Sequence, residues 1–137
     1  MQANSSFYGD EVFIIAEVGN NHEGDFTLAQ DMVGLAAEAG VDAVKFQTII
    51  PELLVNRSDE PRFSTLKKFQ LSYDQFETLA KQAHDVGIKF LSTPFDIESA
   101  AFLGTIADGL KIASSDNIFY ALIDAAARTG KPLIIST

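Results

Sequence analysis

The chain contains no cysteine, which excludes a disulfide framework and any thiolate-ligated metal. It is short of positive charge: ten Lys and Arg stand against nineteen Asp and Glu, a net charge of -9. A nucleic-acid-binding surface needs the opposite balance, with basic residues gathered on one face. The acidity bears on solubility and non-specific repulsion and names no partner. No apolar run approaches the ~18 residues of a membrane span, and the start, 1–10, is polar rather than signal-like. A soluble, cytoplasmic protein is expected, with neither nucleic acid nor membrane among its partners. Low-complexity segments and linkers are missing too.

What is present is 137 residues, 47% of them hydrophobic and 21% charged, enough for one domain with a buried core. Three times a helix-like stretch ends at a glycine and an apolar run follows within about two residues. The joins are Ala39-Gly40-Val41-Asp42-Ala43-Val44-Lys45-Phe46, Val86-Gly87-Ile88-Lys89-Phe90-Leu91 and Thr129-Gly130-Lys131-Pro132-Leu133-Ile134-Ile135. Glycine supplies the left-handed residue that closes a helix, and the β-rich run after it reads as a buried strand. Two further strands are expected, Val12 to Ala16 and Gly109 to Ala113. Between them stand helices at about Phe26 to Ala39, Ser72 onward, Ile97 to Leu103 and Ile118 to Arg128. Asp25 caps the first, whose apolar stripe is Leu28, Met32, Leu35 and Ala36. Ser72 and Gln75 form a capping box on the second.

The order β-α-β-α-β-α-β-α-β calls for a parallel sheet joined by right-handed crossovers. Two folds satisfy it. An open doubly wound sheet is complete near this length, whereas a (β/α)8 TIM barrel needs roughly 250 residues, so the chain would be its first half. One connection is long, Thr48 to Leu71, punctuated by Pro51 and Pro61, and long segments after a strand are often functional. Asp59 and Glu60 within it read as a solvated loop.

Function is sought where parallel strands end, because all five carboxyl ends lie at one rim. That rim collects Glu17, Lys45 with Gln47 two residues on, Thr93, Lys111 with Ser114, and Ser136. Each has a plain structural explanation: hydroxyls are ordinary turn and cap residues, and a lysine can carry its head to water. Two lysines in such settings ask for more, because a buried ammonium is costly unless an anion meets it. At an effective dielectric near 20, a lysine about 4 Å from a phosphate charge gains about 4 kcal/mol before desolvation. A phosphorylated or carboxylated small molecule is the ligand class indicated. The turn Gly19-Asn20-Asn21-His22-Glu23-Gly24 has the spacing of neither common phosphate loop. His22 reads equally as a substrate contact or a solvent-facing loop residue, and His84 as a surface residue. They are not at metal-ligand spacing.

These motifs resemble those of the sialic acid synthase (N-acetylneuraminate synthase) family, which includes spore-coat polysaccharide and legionaminic or pseudaminic acid relatives. Ile15-Ala16-Glu17-Val18-Gly19-Asn20-Asn21-His22-Glu23-Gly24 resembles the opening strand and loop. Val44-Lys45-Phe46-Gln47-Thr48, Phe90-Leu91-Ser92-Thr93-Pro94-Phe95-Asp96, Lys111-Ile112-Ala113-Ser114 and the segment from Thr129 to Thr137 resemble its next four strand motifs, in order. The resemblance implies the amino-terminal half of a (β/α)8 barrel that condenses phosphoenolpyruvate with an N-acylated hexosamine such as N-acetylmannosamine. The product is a nine-carbon 2-keto acid sugar, and phosphate is released. Carried across by position, Lys45, Gln47, Thr93, Lys111, Ser114 and Ser136 belong to the phosphoenolpyruvate site, and Glu17 is the catalytic residue beside the sugar.

The resemblance further implies a divalent metal, Mn2+ or Mg2+, whose ligands are not in this chain, and a homodimer at full length. The later half-barrel and an antifreeze-like domain are not found in residues 1–137, so this polypeptide is expected to be inactive alone, with strand edges that invite association. Two other readings stay open: a Schiff-base aldolase using Lys45 or Lys111, and a non-catalytic half-barrel that binds a phospho-ligand.

Overall fold

The computed structural model describes residues 11–137; the polar start, 1–10, lies outside them. The strands are β1 Ile15–Gly19, β2 Ala43–Thr48, β3 Lys89–Pro94, β4 Gly109–Ile112 and β5 Leu133–Ile135. The helices are α1 Phe26–Glu38, α2 Pro51–Leu54, α3 Glu60–Phe69, α4 Tyr73–Asp85, α5 Ile97–Ile106 and α6 Tyr120–Arg128, with a 3-10 turn at Ser114–Asp116.

All neighbouring strands are parallel and the sheet order is β1-β2-β3-β4-β5. A doubly wound sheet reverses direction at a switch point and has helices on both faces. This sheet never reverses, so the barrel expectation holds: successive right-handed crossovers step the same way and keep the helices on one, outer face.

The core lies between that outer face and the helices. Val44, Phe46, Phe90, Leu110 and Ile112 of the sheet are fully buried against Phe76, Leu79, Leu103 and Leu122 of the helices. Phe46 is its centre, stacked on Phe90 with centroids 5.6 Å apart and edge-on to Phe76 at 6.4 Å. Gly40, Gly87 and Gly130 all take positive φ, as the three helix-to-strand joins require. The capping box forms, Gln75 N–H donating to Ser72 Oγ and Ser72 N–H to Gln75 Oε1.

Three expectations need correction. β1 begins at Ile15, not Val12, and includes Glu17; Val12 and Ile14 are exposed. Its start is fixed by pairing with β2, opposite Ala43, rather than by the start of the apolar run. The buried stripe of α1 is Ala29, Val33 and Ala36, with Met32 packed against the core; Ala36 and Met32 are as expected, whereas Leu28 and Leu35, one position from Ala29 and Ala36, are exposed. Small side chains let the helix approach the sheet, and the leucines flank the contact. The long connection holds α2 and α3, with Pro51 and Pro61 in their first turns, where a missing N–H costs nothing. Asp59 and Glu60, exposed as expected, stand at the start of α3 rather than in a loop.

The inward placement of α4 and the outward placement of the α1 leucines are separable by mutation. Leu79→Ala is expected to cost about 3 kcal/mol, and Leu35→Ala no more than about 0.5 kcal/mol. Urea denaturation measures both, and equal losses would contradict the helix placement.

Candidate active site

Side chains alternate faces along a strand, so the register decides which residues meet on the inner face. Glu17 pairs with Lys45, Lys45 with Leu91, and Gln47 with Thr93. Leu91 pairs with Gly109, which puts Lys111, two residues on, on the same face, opposite Ile134 of β5. Ser136 follows Ile134 by two, and its N–H donates to the Ile112 carbonyl, extending the ladder past β5. Glu17, Lys45, Gln47, Thr93, Lys111 and Ser136 thus share one parity, facing away from the helices. Ser92 and Thr48 have the other parity, and their hydroxyls pair at 2.8 Å in the buried outer layer.

Three of the expected residues are in direct contact. Lys45, 4% exposed, donates to Thr93 Oγ1 at 3.1 Å and forms an ion pair with Glu17 Oε2 at 2.7 Å. Burial pushes the Lys45 ammonium below the ordinary lysine value; the hydrogen bond and charge of Glu17 oppose this, and the positive charge of Lys111 adds to it. Lys111 shares the inner face with Lys45, two strands away. Among the described residues no carboxylate pairs with Lys111, which is half-buried. Ser114 stands exposed at the start of the 3-10 turn, and Ser136 is half-buried.

Sequence reasoning missed the device that ends β1. The register slips between Glu17 and Gly19, so that Gly19 pairs with Phe46. Gly19 has φ +58°, and a Cβ there would lie 3.3 Å from Glu17 Oε1 and 3.6 Å from the Gln47 amide. A side chain would press on the Glu17 carboxylate, and the glycine itself was the available signal. His22 follows neither of its expected readings. It is 1% exposed, its ring lies against Phe46, and its Nδ1 accepts the Gly24 N–H at 3.0 Å. Burial pushes its pKa down, partly offset by Asp25, so the neutral ring is favoured and secures the turn. His84 is on the surface as expected, paired with Asp108. No group of three or more His, Cys, Asp or Glu among the described residues is arranged to hold a metal ion, and none of the helices is long and apolar enough to cross a membrane.

Residues 32–137 match the sequence profile of the NeuB family. The chain is 41% identical to the N,N'-diacetyllegionaminic acid synthase of Legionella pneumophila over 91% of its own length and 39% of that protein. It is 33% identical to the human N-acetylneuraminate-9-phosphate synthase, covering 91% of itself and 38% of that protein. A crystal structure of the N-acetylneuraminic acid synthetase of Leptospira borgpetersenii, in complex with citrate, superposes with a TM-score of 0.87 at 36% identity, over 92% of this chain and 44% of that one. The chain thus spans about two fifths of the length of the curated relatives it matches.

Lys45 is a lysine whose burial works against the fold. Because the unfolded chain holds this proton more tightly than the folded one, stability rises with pH from the depressed folded value up to about 10.5, the ordinary value. Lys45→Met should remove that slope and add about 1 kcal/mol at neutral pH, since Glu17 is hydrated and survives the loss of its partner. Denaturation curves across pH 7 to 11 check this; an unchanged slope would contradict it.

Proposed function

The chain belongs to the NeuB family, and from that premise we propose that it carries the phosphoenolpyruvate-binding part of an enzyme that joins this anion to an N-acylated hexosamine such as N-acetylmannosamine. The product is a nine-carbon 2-keto acid sugar of surface polysaccharide biosynthesis, with release of phosphate. The observation that carries the reading is the pair Lys45 and Lys111 on one inner face, with one carboxylate, Glu17, paired to Lys45. Three charged groups of net +1 suit a small anion of two or three negative charges. The relatives' names, synthases of legionaminic and neuraminic acids, support the sugar-acid product. The citrate in the Leptospira protein supports a site for small polyanions.

Each residue has a role that its position allows. Lys111, half-buried and free of a carboxylate partner among the described residues, meets the incoming phosphate or carboxylate. Lys45, fixed by Thr93, supplies the second positive charge, and Ser114 and Ser136 add hydroxyl donors from the neighbouring strand ends. Held in this way, the enol C3 is presented to the open-chain aldehyde of the sugar, and orientation is the main catalytic gain. C3 forms the new carbon–carbon bond, the aldehyde oxygen takes a proton, water adds at C2, and phosphate leaves. Glu17, half-exposed at the rim beside Gln47, holds a sugar hydroxyl or moves a proton. The divalent ion implied by the family resemblance, manganese or magnesium, finds no ligand cluster among the described residues. Its ligands would come from outside them, and no step here passes through it. A homodimer and a cytoplasmic location belong to the same proposal.

Titration calorimetry with phosphoenolpyruvate tests this directly. Lys111→Ala should weaken binding at least about tenfold, the loss of one charge-assisted contact. Undiminished affinity in that variant would count against the site.

A further inference from the structure

We propose that Glu17 is the resident counter-ion of Lys45, and that an incoming anion takes its place and sends the carboxylate to the open side of the sheet. This rests on the anion-binding reading above and adds an exchange at the same site. The two partners are unequally held. The Lys45 side chain is 5% exposed and that of Glu17 52%, and Thr93 ties the ammonium from a second side. When a third charged group arrives, the lysine stays and the glutamate is free to move.

The charges say which way it moves. Without ligand, Glu17 offsets part of the repulsion between Lys45 and Lys111. An anion of charge -2 or more seated against both ammonium groups does that work itself, and it places negative charge beside the Glu17 carboxylate. Like charges at such range are unfavourable in a partly buried site. The Glu17 side chain is half-exposed, and its carboxylate and the Gln47 amide both border Gly19, where the absence of a side chain leaves room. Rotation of Glu17 is therefore the least costly response. It also leaves the carboxylate disengaged from lysine while the anion is bound, available to a neutral second molecule at the rim.

The test is calorimetric titration of the whole chain with phosphoenolpyruvate, and separately with inorganic phosphate, for the wild type, Glu17→Gln and Glu17→Asp. Aspartate keeps the charge and is one methylene too short to hold the ion pair. Exchange predicts that both variants bind phosphoenolpyruvate about tenfold more tightly than the wild type. Tightening in Glu17→Gln with no change in Glu17→Asp would mean that only the carboxylate's field matters, and would overturn the exchange; weakening in both would also overturn it. The carboxyl carbon resonance of Glu17 in the wild-type chain gives a readout independent of any variant, and it should shift on saturation with phosphoenolpyruvate. A wild-type chain that binds phosphoenolpyruvate through Lys111 while the Glu17 resonance stays fixed would sink the exchange and leave the anion site standing. No binding at all would remove both.

Discussion

Lys45 carries its ammonium group into the interior of the inner face, and the residues around it offset part of the cost of burying that charge. Lys45 is buried, which by itself disfavours its charge, and Lys111 adds to the penalty. Glu17 and Thr93 recover part of it. A buried ammonium of this kind is costly to the fold, and in the proposed function an incoming anion offsets the rest of that cost. Binding sites commonly carry such a cost, with local instability tolerated where chemistry requires it.

The remainder of the structure keeps those groups in place. Phe46 sits between Lys45 and Gln47 in sequence and points to the opposite face, where Phe76, Phe90 and His22 surround it. Anchoring Phe46 in the outer layer fixes the orientation of both inner-face neighbours. His22 holds Gly24, and Gly24 in turn lies so close to the Lys68 carbonyl that a Cβ would collide with it. The turn after β1 thus packs directly against the end of α3, with backbone against backbone. The outer core and the inner site are two faces of the same five strands.

The sequence disclosed the strands and the inner face more fully than it disclosed the helices. Glycines at positions 40, 87 and 130 mark helix ends because positive φ is needed there, and period-two alternation put Lys45 and Gln47 on one face without any knowledge of neighbours. The Glu17–Lys45 pair was not legible, because it depends on the register of β1 against β2, a tertiary fact. The α1 stripe is only half legible: Ala36 and Met32 face the core as expected, but leucines dominate a reading by hydrophobicity, and Leu28 and Leu35 give way to Ala29 and Val33. α3 is hidden for a different reason: its apolar stripe, Phe63, Leu66 and Phe69, is short and only half-buried, and Pro61 stands at its start. The burial of His22 left no mark at all on composition or spacing.

The most direct measurement is a crystal structure of this chain grown with phosphoenolpyruvate. The ligand is expected on the inner face of the sheet, with the Nζ atoms of both Lys45 and Lys111 within hydrogen-bonding distance of its phosphate or carboxylate oxygens. A ligand bound elsewhere, or touching one lysine while the other points away, would contradict it.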